Sequence, residues 1–467
     1  MISHGFRWIT ENKDLIIEVN DVIWQYSEVS LEEYKTSSYL AMLLEKNGFK
    51  VEKPVAGIDT AFVAKFGSGK PEIGFLAEYD ALPGLSQKIQ IDKEPLTKGG
   101  PGHGCGHNSI AAGVLGGVIG LKEEMVKKNI PGTIVFYGCP AEEGPFAKQN
   151  MASAGVFNNS DVILTWHSGD INCVVSYSTN SFLGLNFKFH GKSSHDAIAP
   201  YYVRIALDAV ELMNVGANYL REHMISDAKI HYIITKGGDA VSIVPEFAEV
   251  QYAIRSPKKH QVTELYERLL NIAKGAALMT ETTFDVELIS ACREILPNTV
   301  LEEILLDTML EVGAPAWDEE DRQFAKGMMK NISDNSINII SQKYGIKKED
   351  FEVGLHDFIY NGFPERGCVM AGSSDVGDVS QIAPLAQFRY ATSVMGTQAH
   401  TWVKTACSGS SLAHKGVLAA AKTFALTGYK LLINPNMLEK AKKEFNMKTK
   451  GKGYESAVPK NLNNLKR

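Results

Sequence analysis

Two imidazoles and a thiol fall within five residues in the stretch Pro101-Gly102-His103-Gly104-Cys105-Gly106-His107-Asn108, with glycine between them. Glycine removes side-chain walls and lets the backbone turn tightly, so Cys105 and His107 can face one centre. A thiolate and an imidazole together suit zinc or a divalent neighbour. Alone, the stretch also reads as a glycine-rich turn with one buried cysteine and a capping histidine. Three further polar sets change that balance: Glu78 with Asp80, Glu142 with Glu143, and His167. Each has an ordinary reading by itself, as a turn residue, a solvated pair opening a helix, or a buried histidine satisfied by backbone. Together, Cys105, His107, Glu143 and His167 offer soft and hard donors for one or two divalent ions with positions left for water. Glu142, beside a ligand but diverging from it, is placed to take a proton from water and hand it to a leaving amine. Asp80 would hold a ligand histidine in the correct tautomer. The chemistry is metal-assisted hydrolysis.

The elements around these residues must bring them to one place. Short apolar runs at 61–64, 73–77, 133–137 and 162–167 read as buried strands, and the last three lead into the polar sets. Helical spacing marks 30–48, where Ser30 and Glu33 form a capping box and Gly48 a stop, and 109–121, rich in small residues. Strand and helix alternate, which predicts an α/β domain with a mostly parallel sheet flanked by helices. In such a sheet, the carboxyl ends of the strands lie side by side and carry the ligand site. From about residue 183 the order becomes strand (183–190), helix (196–222), strands (229–235 and 248–255), helix (261–279) and strand (283–289). That is the order of a ferredoxin-like α+β unit. The expected organisation is therefore a catalytic domain of residues 1–182 and 298–467, with residues 183–297 inserted as a lid and dimerisation domain. A charged helical stretch spans 318–344, a helix at 410–427 closes the domain, and the lysine-rich tail from Lys440 reads as a solvated helix end.

The chain has 467 residues, 44% of them hydrophobic, enough for one large core and a second. Its net charge of −6, with acids and bases interspersed, argues against nucleic acid and anionic membranes as partners. No apolar run stands out as membrane-spanning, and the first residues lack the blocks of a secretory signal. Cys105, Cys139, Cys173, Cys292, Cys368 and Cys407 are scattered without paired spacing, which points to a reduced, cytoplasmic protein.

Tyr79-Asp80-Ala81-Leu82-Pro83, Gly102 through Asn108 and Pro140-Ala141-Glu142-Glu143-Gly144 resemble the aminoacylase and carboxypeptidase-like metallohydrolases. Within them the chain is similar to the branch of hippurate hydrolase and the indole-acetyl-amino-acid hydrolases. The insert between Gly84 and Gly102, Gly191-Lys192-Ser193-Ser194-His195, Ile230 through Gly238 and Ser373 through Ser380 point to its aminobenzoyl-glutamate hydrolase group. The resemblance implies two divalent metal ions, manganese or zinc, held by Cys105, His107, Glu143, His167 and His400, with Glu142 as general base. His400 by spacing alone is a loop histidine. Glu78 stands where more distant relatives place a ligand histidine. The resemblance gives His195 the role of polarising the scissile carbonyl in a partner subunit's site, although a helix-start cap explains the same residue. Arg255 matches a position tied to the substrate carboxylate, and Ser242 stands at a contact where relatives carry asparagine. The substrate implied is a small N-acyl or N-aroyl amino acid. The partners implied are a second copy, met through the inserted domain, or a related subunit.

Three other readings compete. The same machinery serves a dipeptidase. A fold that keeps the metal without turnover serves as a scaffold, but an intact Glu142 beside the ligands argues against it. A thiol hydrolase using Cys105 with His107 is disfavoured by their closeness in sequence and by the neighbouring carboxylates.

Overall fold

The computed structural model describes residues 2–193, 200–241 and 243–462, so His195 and Ser242 lie outside the described residues. The chain forms two compact units: Met1–Tyr177 with Leu296–Cys368 and Val379–Gly453, and Ser178–Ile295 with Val369–Asp378 and Tyr454–Arg467.

The first unit is built on a seven-stranded sheet in the order Lys50–Glu52, Phe62–Ser68, Gly132–Cys139, Glu72–Glu78, Val162–Gly169, Leu385–Ala391, Cys173–Val175. The four strands from Gly132–Cys139 to Leu385–Ala391 are parallel, and the outer ones run antiparallel to their neighbours. Every residue of Glu72–Glu78 and Gly132–Cys139 is buried. Both faces are covered, which is why these strands read as continuous apolar runs rather than alternating ones. One face packs on the helices His107–Lys128 and Ser411–Ile433. Small residues let them come close: a side chain at Gly113 would run into Trp166, and one at Gly117 into Phe424. Helix Ser411–Ile433 is long and apolar enough to cross a membrane, yet most of it is buried in this core.

The second unit is a four-stranded antiparallel sheet, Thr283–Cys292, Ser181–His190, Phe247–Ser256, Lys229–Lys236, with helices Ala206–Leu220 and Lys259–Thr280. Burial alternates along Phe247–Ser256. One face, carrying Ala248, Val250, Tyr252 and Ile254, joins the helices in the core. The strand and helix order is the ferredoxin-like one.

Several elements differ from their sequence expectation. Helix 30–48 begins at Tyr34, and the Ser30–Glu33 capping box is absent because both side chains are drawn elsewhere. Ser30 Oγ donates to Asp80 Oδ2 at 2.8 Å, and Glu33 Oε1 accepts from the Ala141 amide at 2.9 Å. The helix expected over 196–222 starts at Ala206, because Lys192 and Arg204 pair through both backbone groups and keep the chain entering it extended. Helix Ser411–Ile433 is followed by another, Pro435–Thr449. The tail is not simply solvated. Glu444 accepts from the Thr299 and Val300 amides at 2.9 and 3.0 Å, and Ala457 and Leu462 enter the core of the smaller unit.

Candidate active site

The four parallel strands point their carboxyl ends at one edge of the large sheet. Glu78 ends the strand Glu72–Glu78; Glu142 and Glu143 follow Gly132–Cys139; His167 lies near the end of Val162–Gly169. The loop after Leu385–Ala391 leads to His400. Cys105 and His107 arrive from the excursion after Glu78, with His107 opening the helix His107–Lys128. Gly106 has φ +84°, and a Cβ there would lie 2.3 Å from Ser168 Oγ, so glycine is required for the loop to press against the neighbouring strand end. His400, itself at φ 61°, is tied to that loop through its amide, which donates to the Gly104 carbonyl at 2.8 Å.

Asp80 organises the deep side. Its Oδ1 lies 2.9 Å from His107 Nδ1, and its Oδ2 accepts from Ser30 Oγ and from the Glu143 amide at 2.9 Å. Burial alone would raise the Asp80 carboxyl, but the bonds from His107, Glu143 and Ser30 hold it below the ordinary carboxylate range. An aspartate on Nδ1 directs the other nitrogen, Nε2, toward the site. Nε2 is buried with no hydrogen-bond partner, as is Glu143 Oε1. Cys105 Sγ lies 3.4 Å from His167 Nε2, and Glu143 Oε2 lies 3.3 Å from His400 Nε2.

Buried polar atoms left without partners are rare, and here they converge. Cys105, His107 and His167 have ligand atoms within 4.8 Å of one another, as do Cys105, Glu143 and His400, and His107, Glu142 and Glu143. Cys105 belongs to two of these sets, where a thiolate can serve two ions. Burial opposes ionisation of Cys105, yet the His167 and His107 imidazoles outweigh it and hold the thiol well below its usual range. Burial likewise opposes charge on His107, but Cys105 and Asp80 push it well above normal. His400 is pushed up to about 10 by Cys105 and Glu143. Glu143 is pushed up to about 7, by burial first and Cys105 second. Anions that gather protonated imidazoles in this way are a donor set suited to divalent cations, which take the place of those protons.

Glu78 Oε2 is 3.6 Å from His107 Nε2, while its Oε1 is 2.9 Å from the ammonium of Lys148, a side chain with no exposure. Arg255 lies in the smaller unit, its guanidinium 4.7 Å from the centre of the Phe182 ring. His103, which the sequence leaves structural, is buried against the Ile23 carbonyl at 3.0 Å, and burial lowers it to about 4. Sequence spacing offers no hint of Ser30, Glu33, Lys148 or Lys404. Lys404 is 3% exposed, and its Nζ donates to Ser168 Oγ at 2.8 Å, Thr392 Oγ1 at 2.9 Å and Ser393 Oγ at 3.4 Å. A lone lysine within a short stretch of small and apolar residues is the one signal available for Lys148 and Lys404, since a buried lysine needs partners.

Comparison with known proteins agrees with this geometry. Residues 74–283 match the profile of peptidase family M20/M25/M40. One of the subunits of the p-aminobenzoyl-glutamate hydrolase of Escherichia coli (strain K12) is 37% identical over 464 residues, 97% of this chain and 96% of that one. The Xaa-Arg dipeptidase of Mus musculus is 28% identical over 460 residues, 94% of this chain and 91% of its own. In the crystal structure of the Bacillus subtilis YXEP protein, a dinuclear metal binding peptidase of the M20 family, the same fold recurs. Its TM-score is 0.56 at 15% identity, covering 91% of this chain and 99% of that one. With a relative this similar along the whole length, the chain belongs to peptidase family M20/M25/M40 and is a hydrolase of that family.

Proposed function

We propose that this chain cleaves the amide bond of N-aroyl or N-acyl amino acids of the aminobenzoyl-glutamate kind, using two divalent ions, manganese or zinc. The observation that carries the chemistry is the convergence of His107 Nε2 and Glu143 Oε1, buried and without hydrogen-bond partners, on Cys105, with Glu142 beside them. The substrate class is supported by the 37% identity to the Escherichia coli p-aminobenzoyl-glutamate hydrolase chain.

In this reading Cys105, His107, Glu143, His167 and His400 hold the ions, which when bound polarise the scissile carbonyl and acidify water. Asp80 keeps His107 in the tautomer that presents Nε2. Glu142 accepts the proton of the attacking water and delivers it to the amine nitrogen as the C–N bond breaks. The roles that the resemblance implies for His195, Ser242 and Arg255 are part of this reading. So is a homo-oligomer, or a pairing with a related second chain; the latter is suggested by the relative's name, which describes it as one subunit of its enzyme.

The test is hydrolysis of aminobenzoyl-glutamate, hippurate, indole-acetyl-aspartate and several dipeptides by metal-depleted protein, before and after adding manganese or zinc. Metal-dependent release of glutamate from aminobenzoyl-glutamate is the expected result, and the ion that restores most activity identifies the cofactor. The whole-length similarity to a dipeptidase supports a second reading, in which only the dipeptides are cut. No turnover with two ions bound removes both.

A further inference from the structure

Arg389 has no role in the chemistry above. Its strand, Leu385–Ala391, lies parallel to Val162–Gly169, and the two are in register with Arg389 opposite His167 and Phe388 opposite Trp166. The Phe388 and Trp166 rings stack 6.2 Å apart on the helix-covered face. Arg389 and His167 therefore share the other face, since successive side chains alternate across a sheet. Gly169 comes two residues after His167 on that same face. A Cβ built on it would meet Arg389 Cβ and Cδ at 3.3 Å, so the stem of the arginine lies across the glycine, toward the carboxyl edge where the site is. The missing side chain at Gly169 is what leaves room for it.

At its tip, the guanidinium donates from one Nη to Tyr177 Oη at 2.6 Å, and the Tyr177 ring centre is 5.6 Å from Cζ. No carboxylate among the described residues comes within ion-pairing distance of it. Glu365 is paired with Lys343, and Asp170 Oδ2 is taken by the Gly396 amide at 2.8 Å. Lys404, hydrogen-bonded to the hydroxyls of Ser168, Thr392 and Ser393, adds a second cation around the same strand ends. A planar fork of five N–H donors with one protein acceptor among the described residues can receive a carboxylate in bidentate fashion. Glu365 and Asp170 act on the Arg389 charge from beyond bonding distance, and neither occupies the fork, so an anionic ligand would find donors there to bind.

We propose that Arg389, with Tyr177, forms a subsite for a carboxylate of the substrate. This rests on the amidohydrolase reading above. The test compares wild type, Arg389→Lys and Arg389→Met, each with metal content measured. The substrates are aminobenzoyl-glutamate, its α-amide, aminobenzoyl-glutamine and aminobenzoyl-alanine. For Arg389→Met the KM of aminobenzoyl-glutamate should rise about 10- to 100-fold, the range of a hydrogen bond to a charged group, while kcat stays within about threefold. The substrate lacking the recognised carboxylate should be indifferent to the change: the α-amide if the α-carboxylate is bound, the glutamine and alanine compounds if it is the side-chain one. Arg389→Lys should recover part of the loss. An equal loss on all four substrates, or no loss on any, overturns the proposal in favour of a structural arginine. A second readout does not need turnover: glutamate should raise the melting temperature of the metal-loaded wild type but not of Arg389→Met. If wild type cleaves nothing, the substrate reading fails; an equal thermal shift in both proteins refutes the subsite.

Discussion

The deep and open sides of the site are built on different terms. On the deep side, Glu78, Asp80 and His107 are each at most 3% exposed, and each is held from behind: Glu78 by Lys148, Asp80 by Ser30 and the Glu143 amide, His107 by Asp80. On the open side, Glu142 and Glu143 are half-buried, and the His400 side chain is 54% exposed and stands on a left-handed residue. Glu143 and His400 face each other at 3.3 Å. The difference teaches that fold and turnover are separable here. Changes on the deep side should act through folding and metal affinity; on the open side, Glu143 and His400 also bear on metal affinity, and Glu142 on the chemical step alone.

Glu142 is the sharpest test of that division, because removing a general base costs about 10²–10⁴ in rate. Glu142→Ala should lose turnover in that range with both ions retained and the melting temperature nearly unchanged. If the ions leave with the side chain, Glu142 is a ligand and the two sides are not distinct.

Lys148 is the matching test on the deep side. Removing one member of a buried pair strands the other charge, at about 3–5 kcal/mol. Lys148→Met should lose that much in urea unfolding. Adding Glu78→Gln should recover much of it, because the stranded carboxylate goes too. A Lys148→Met protein of normal stability with low activity would move this lysine to the open, catalytic side.

Asp80→Asn should have a smaller effect. It keeps the shape of the side chain but weakens the hold on His107, and partners of this kind are worth about 10- to 100-fold in metal affinity. Titration of metal-free protein with zinc, followed by calorimetry, should show that loss with little change in kcat at saturating metal.

The same division decides what the sequence reveals. Cys105-Gly106-His107 is contiguous and opens a helix, and Glu142-Glu143 is contiguous and follows a strand pattern, so both the elements and the donors can be read from local spacing. The parallel sheet is legible because its strands are buried on both faces. What cannot be read are partners that arrive from far along the chain. Lys148 comes from the helix Ala147–Ser153, Lys404 from Trp402–Ser408, and Ser30 from ahead of the first buried strand. Ser30 and Glu33 have the spacing of a helix cap, and only the folded chain shows that Asp80 and Ala141 compete for them more strongly. His400 is a loop histidine until the Gly104 carbonyl brings it to the thiol.

Glu33 joins the two sides. It is fully buried, and its carboxylate accepts from the amide of Ala141, a residue at φ 56° immediately before Glu142. Burial and then the nearby Asp80 push the Glu33 carboxyl from 4.5 to about 7. The folded chain therefore binds this proton more tightly than the unfolded chain. Its contribution to stability is complete below the unfolded value and is lost as pH rises through the folded one. Metal-free protein should thus lose stability from about pH 4.5 to about pH 7 through this group, and Glu33→Gln should flatten that slope, because the amide oxygen still accepts from Ala141 but has nothing to titrate. Turnover of the metal-loaded variant should fall only modestly, since the loop keeps its hydrogen bond. Urea unfolding of both proteins at several pH values decides it: parallel slopes would mean that Glu33 is already ionised in the folded chain, and a large loss of turnover would make its charge, rather than its grip on Ala141, the feature that positions Glu142.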